Sequence, residues 1–209
     1  MARTAGSDGE RTEAAIRDAA VELIARHGYE AVTMRQLAGR VGVQPAALYR
    51  YFPTKEDLLF TLMREHMEGL LAAWNAARPA SGDAATRLVA FVENHIAFHI
   101  ARRHATHVSN MELRSLSHEK LTAILKLRTA YEKELRSILR EGAEDGIFSV
   151  DDIGLTAMAL IQMTTGVIVW FRPDERLSVA GVTATYLRMT MRLVGATMQV
   201  ESQHVHPHA

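Results

Sequence analysis

Between Thr33 and Lys55 the chain reads TMRQLAGRVGVQPAALYRYFPTK, a segment that leaves little conformational freedom. Pro53 cannot continue a helix, Gly42 suits a left-handed turn, and Pro45 is favoured in a first helical turn. Two short helices therefore fit, one after Thr33 as far as Gly42 and one over Pro45–Phe52. Thr33 and Gln36 have the spacing of a capping box, in which each side chain satisfies an orphan backbone donor. Thr54 then caps a further helix, KEDLLFTLMREHMEGLLAAW, with Glu56 and Asp57 at its positive end. An earlier helix over Arg11–His27 carries Ile16, Ala20, Leu23 and Ile24 on one face and ends at Gly28. Leu37, Ala38, Val41, Val43, Leu48 and Phe52 are spaced to close the short helices onto that face. Two short helices around a tight turn, braced by a third, form a helix-turn-helix, which places one helix in the DNA major groove.

The composition is compatible with this reading. The chain has 209 residues, 48% of them apolar, which suffices for a real core. There is no cysteine, which excludes disulfides, zinc–thiolate sites and a cysteine nucleophile. The start, MARTAGSDGERTE, has no apolar signal core. Net charge is zero, but residues 1–55 hold eight Arg/Lys against six Asp/Glu, and the remainder has the opposite imbalance. Ile153–Phe171 holds no charged residue, yet Gln162, three threonines and two glycines interrupt it. That reads as a helix buried on all sides, in a core or a subunit interface, not as a membrane span.

The expected fold is all-α, with about nine helices. Residues 1–10 are expected to form a disordered arm whose Arg3, with Arg11, is able to follow the DNA. Residues 11–55 form the DNA-binding domain, 56–195 a ligand-binding and dimerisation domain, and 196–209 a disordered tail with histidines at 204, 206 and 208. Past the break at residues 77–83, helices are expected over Ala84–Arg103, His104–Leu116 and Ser117–Ala143. The uncharged helix follows, opened by Asp151 or Asp152 and ended by Pro173, and then a last helix from a Ser178 cap to about Val194.

The DNA-facing candidates follow from their chemistry. Ala46 and Ala47 are small where the backbone must approach base edges and are able to touch a thymine methyl. Gln44 offers hydrogen bonds to a base or a phosphate. Thr33, Tyr49, Tyr51, Arg35 and Lys55 offer hydroxyls and cations for phosphates, Lys55 doing so at a helix N-terminus, where charge and dipole act together.

Taken together, AAVELIARHGYEAVTMRQLAGRVGVQPAALYRYFPTKEDLL closely resembles the N-terminal domain of the tetracycline-repressor (TetR) family of bacterial regulators. The resemblance implies an all-α cytoplasmic homodimer reading a near-palindromic DNA operator, with an effector pocket in its C-terminal half. It implies a transcriptional repressor with no enzymatic activity. The last two helices, with Val179, Val182, Tyr186, Leu193 and Val194, supply the apolar surface for dimerisation. Candidate pocket residues are Trp74, Phe91, His95, Phe98, Met111, Tyr131, Met158, Gln162 and Trp170. MELRSLSHEKLTAI and TGVIVWFRPDERLS further resemble a subgroup that responds to acyl-CoA thioesters, in which Arg172 would meet a phosphate or thioester and Trp170 would stack on an acyl or adenine group. Arg102 and Arg103 are further candidates for the coenzyme A phosphates.

His95 and His99 are one turn apart, but no acidic or thiol ligand accompanies them, so no metal and no cofactor is expected. No nucleophile elbow, phosphate loop or paired-carboxylate signature is found. The competing readings are an acyl-CoA-binding protein or enzyme with a vestigial helix-turn-helix, and an activator of the same fold.

Overall fold

The computed structural model describes residues 5–172 and 177–196. The expectations for Arg3, for Pro173 and for the histidines at 204, 206 and 208 lie outside them. The described residues are helical and contain no strand. The first four helices are α1 (Ala5–His27), α2 (Met34–Val41), α3 (Pro45–Tyr51) and α4 (Lys55–Ala77). After them come α5 (Ala84–Ala101), α6 (Arg103–Met111), a 3-10 turn (Leu113–Ser115) and α7 (His118–Glu144). The chain continues as α8 (Ile153–Thr165), its short continuation α9 (Val167–Trp170) and α10 (Val179–Leu193).

The local signals act as their chemistry dictates. Thr33 and Gln36 complete the capping box in both directions. Gly42 takes φ +77°, the left-handed turn that a side chain would strain. The side chains of Thr54, Asp83, Asp152 and Ser178 each accept a backbone N–H at the start of a helix.

Three boundaries depart from the sequence reading. α1 begins at Ala5, so the expected arm is helical from there on. No proline stops the helix propagating backward, and its Gly9 lies against α3: a Cβ there would sit 3.7 Å from the Tyr51 hydroxyl. The helix expected to run to Arg103 turns a corner at Arg102 (φ −118°, ψ 37°), and α6 starts at Arg103. The uncharged helix is broken at Gly166, and only 28% of Ile153–Trp170 is buried. By length and composition that window is apolar enough to cross a membrane. Within one chain it is not buried on all sides: Leu155, Met158, Val169 and Trp170 face outward.

Two apolar cores organise the molecule. The first joins Ile16, Ala20 and Ile24 of α1 with Leu37, Leu48, Phe52, Leu58, Leu59 and Met63, and is completed by Val108, Leu116 and Ile124 of the body. Each fully buried aliphatic side chain contributes about 1.5–3 kcal/mol, so this packing fixes the headpiece. The second core begins at Met67 and takes in Leu70, Trp74, Leu88, Phe91, Tyr131, Leu135 and Leu160. α4 belongs to both cores, and His66 stands between them.

Candidate nucleic-acid interface and effector region

α3 buries Leu48 against the first core and turns Gln44, Ala46, Tyr49 and Arg50 outward, with Ala47 partly covered. Gln44 occupies the N-cap position without a side-chain capping bond, so its amide is available to another molecule. Arg35 is exposed and makes no ion pair among the described residues. Tyr49 is 49% exposed. Tyr51 differs: its ring packs partly buried against the headpiece core, with its hydroxyl beside Gly9. Thr33 is exposed, but its box already occupies its donors. Its N–H donates to Gln36 Oε1 at 2.8 Å and its hydroxyl to the same oxygen at 2.9 Å. A phosphate at this helix start therefore competes with Gln36.

Lys55 is held in place. Its Nζ lies 4.0 Å over the ring of Tyr29 and 3.5 Å from the Glu30 carbonyl oxygen. A cation over a tyrosine face is attracted by the ring quadrupole. Sequence reasoning did not single out Tyr29, although the triplet His27-Gly28-Tyr29 was its signal. Tyr29 in turn donates its N–H to Glu112 Oε1 at 3.0 Å, so the turn after α1 is fastened to the end of α6. A second fastening joins α4 to α7. Glu56 accepts the Ser117 N–H at 2.8 Å, and Lys120 reaches Asp57 at 2.6 Å and Glu56 at 3.5 Å. These contacts lower the Glu56 and Asp57 carboxyl pKa values, chiefly through the Ser117 hydrogen bond for Glu56 and the Lys120 hydrogen bond for Asp57.

The residues expected to line an effector pocket divide into groups. Trp74, Phe91, His95, Phe98 and Tyr131 are buried together. Phe91 packs 5.0 Å from both Trp74 and Tyr131, and His95 stacks 4.1 Å from His99, centroid to centroid. His95 has both ring nitrogens engaged, Nδ1 with the Tyr131 hydroxyl at 3.0 Å and Nε2 with Thr165 Oγ1 at 2.8 Å. Burial holds His95 well below its ordinary pKa, so the ring is neutral. Met111, Met158 and Gln162 do not join this group. Met111 is 60% exposed at the end of α6, and Met158 and Gln162 lie one turn apart on the outward face of α8. Their apolar or flexible character matched a pocket wall, but the helix phase turns them away. Trp170 stacks on Tyr186 and stays 45% exposed, and Arg172 donates to the carbonyls of Val169 and Phe171 at the end of α9.

An open cleft of about 690 Å³ lies between α1, α4, the α5–α6 corner and α9. Its walls include Arg17, Glu65, His66, Arg102, Arg103 and Phe171. Of the pocket residues named from sequence, none lines it, while the secondary candidates Arg102 and Arg103 both do.

The family described as "Bacterial regulatory proteins, tetR family" matches residues 16–62, and "Tetracyclin repressor-like, C-terminal domain" matches residues 81–194. The HTH-type transcriptional repressor KstR2 of Rhodococcus jostii is 27% identical over 190 residues, covering 90% of this chain and 92% of its own. A crystal structure of a bacterial regulatory protein in the tetR family from Rhodococcus RHA1 is 33% identical, with a TM-score of 0.85, over 89% of this chain and 98% of that one. The structure of AibR in complex with isovaleryl coenzyme A and operator DNA shares the fold at 23% identity, with a TM-score of 0.77, over 89% of this chain and all of that one.

Proposed function

The chain belongs to the tetR family of bacterial regulatory proteins, and on that premise we propose that it is a ligand-responsive repressor acting as a homodimer on a near-palindromic operator in the cytoplasm. The observation that carries the reading is α3, which buries Leu48 and leaves Gln44, Ala46 and Tyr49 outward at the edge of the headpiece. Gln44, Ala46 and Ala47 read bases. Thr33, Arg35, Tyr49, Tyr51 and Lys55 position the headpiece on phosphates. The second copy docks on the outward apolar residues of α8, α9 and α10, among them Leu155, Met158, Val169, Val179 and Met189. Exposed large apolar residues gathered on neighbouring helices mark an interaction surface. Dimerisation sets two recognition helices about 34–36 Å apart, one turn of DNA.

The effector is a small molecule bound in the body, of the acyl-CoA thioester class. Support for that class comes from the fold shared with a regulator solved with isovaleryl coenzyme A, and from exposed Trp170 and Arg172 in the WFRP segment. The thioester must bind the DNA-free arrangement better than the DNA-bound one, since equal affinity shifts nothing. The test is fluorescence anisotropy on DNA from the upstream region of the gene. Wild type binds in a sequence-specific, salt-sensitive way, Tyr49→Ala and Lys55→Ala weaken it, and one thioester of a chain-length series releases it. Operator binding that persists at saturating concentrations of every thioester overturns the effector class. Absence of specific binding overturns the repressor.

A further inference from the structure

The interior aromatic cluster is filled by its own side chains, whereas the cleft beside it is open, and Arg102, Arg103 and His66 on it make no ion pair among the described residues. Its two walls differ in charge. On the α1 and α4 side Arg17 is satisfied internally, pairing with Glu13 at 2.9 Å and Glu65 at 3.1 Å, and Asp18 adds a further carboxylate at the edge. On the opposite side Arg102 and Arg103 have no carboxylate within ion-pair distance among the described residues. Arg102 lies 4.2 Å over the Phe98 ring, and Arg103 donates to the carbonyls of Phe171 at 3.1 Å and Val169 at 3.4 Å. Arg172 shares those two carbonyls, so two guanidinium groups meet at one helix end with no carboxylate paired to either among the described residues. Behind them Arg128 is likewise held, among the described residues, by neutral acceptors, the Ser109 carbonyl and the Asn110 side chain.

Between the walls lies His66, 6% exposed, at the level of α4 where one core ends and the other begins. Its Nδ1 is sealed off without a hydrogen-bond partner, and neither ring nitrogen is bonded among the described residues. Nε2 is therefore the nitrogen left to meet a bound molecule. Burial, reinforced by the charges of His99, Arg128 and Arg102, brings the ring down to about 3, so it is neutral at physiological pH. A hydrogen bond from a ligand to Nε2 would give this ring a polar partner, while Nδ1 stays sealed without one.

The geometry points to this cleft as the effector's binding site, with Arg102 and Arg103 holding the phosphates of an acyl thioester and His66 hydrogen-bonding a polar group of its amide-and-thioester arm. The inference rests on the thioester reading above and adds the location and the residues that recognise it. A free fatty acid offers one anion and no polar arm, so it makes only one of the two contacts. A ligand seated here touches α1 and α4 of the headpiece as well as α6 of the body, so occupancy acts directly on the headpiece position.

The test uses the full-length protein and isothermal titration. A thermal-shift series of coenzyme A thioesters (acetyl, isovaleryl, octanoyl, palmitoyl, phenylacetyl) first identifies the thioester that wild type binds, with octanoate as the free-acid comparison. Arg102→Gln and Arg103→Gln are expected to weaken that thioester about tenfold each, the loss of one charge-assisted contact. His66→Phe is expected to weaken it about fivefold or more, and His66→Gln, which keeps an amide nitrogen near the Nε2 position, to restore much of the loss. Circular dichroism melting separates these effects from misfolding. Thioester binding at wild-type affinity in all three loss variants overturns the cleft while leaving the thioester reading intact. Equal weakening by His66→Phe and His66→Gln overturns the hydrogen bond from His66. If no thioester in the series binds wild type, the thioester reading and the cleft fall together.

Discussion

Replacing Lys55 separates two things its position supplies: charge on the DNA, and the rigidity with which that charge is presented. In a dimer Lys55→Met removes two cations. If each neutralises one phosphate, the slope of log K against log salt flattens by about 1.8, at 0.9 per contact. Between 50 and 200 mM salt, wild-type affinity then falls about tenfold more than that of the variant. Tyr29 predicts a different signature. Its ring lies 4.0 Å below the ammonium, an interaction of about 0.5–1 kcal/mol at an exposed site. Tyr29→Leu frees the ammonium in both protomers, so binding must order two lysine side chains at about 0.5–1.5 kcal/mol each, about fivefold or more in operator affinity. The cation itself remains, so the salt slope does not change. Tyr29→Phe keeps the ring face and stays within about twofold of wild type. The assay is fluorescence anisotropy on a labelled operator duplex from 50 to 200 mM KCl. An unchanged slope for Lys55→Met refutes the phosphate contact. A slope change in Tyr29→Leu as large as that in Lys55→Met refutes the division between charge and presentation.

Other expectations are independent of this one. A Cβ on Gly142 would lie 2.1 Å from the buried Phe148 ring, so Gly142→Ala destabilises by about 1–3 kcal/mol, read from urea midpoints at constant m. Met158→Lys places a charge on the outward face of α8 and is expected to shift sedimentation toward the monomer while leaving the circular dichroism spectrum unchanged, since Met158 is 44% exposed in one chain. His66 and His99 are brought down to about 3 and about 4, both mainly by burial, against 6.5 for the unfolded chain. The unfolded state therefore binds more protons below 6.5, and stability, complete above that pH, falls as pH drops toward 4. Each histidine contributes a slope of up to about 1.4 kcal/mol per pH unit. His66→Phe should flatten the urea-midpoint profile between pH 6.5 and 4.5 by one proton's share, and an unchanged profile refutes the assignment.

The headpiece was legible because its signals are local. A glycine at a left-handed turn, threonines at helix starts and apolar residues at fixed spacing each act within four residues, and Gly42, Thr33 and Thr54 behave as read. The effector region was not, because a pocket depends on which helices meet. Met111, Met158 and Trp74 share an apolar character that fits a pocket wall equally well, yet helix phase and packing leave two of them outside and one fully enclosed. Conversely His66, in the middle of an apolar helix, carries no sequence mark of its place beside a cleft. The Gly166 break was missed for a different reason: a stretch without charge does not show at which of its interruptions a single helical turn shifts direction.

α4 has a mechanical consequence. With no break over its 23 residues, it is about 35 Å long at 1.5 Å per residue. Its first turn carries Lys55, and its last buried residue, Trp74, is anchored by a hydrogen bond from Nε1 to Glu134 at 3.1 Å. A rod that pivots at one end amplifies rotation at the other, and the swing here has to release or carry along the contacts of Glu56 and Asp57 with Ser117 and Lys120. A tilt of about 5° about the Trp74 end swings the Lys55 end by about 2.5–3 Å over that length. Opposite swings in two copies change the spacing of the recognition helices by about 5–6 Å, enough to spoil the match to one turn of DNA. The displacement asked of the effector is therefore small at its own site, within what side-chain repacking supplies, and neither helix needs to unfold.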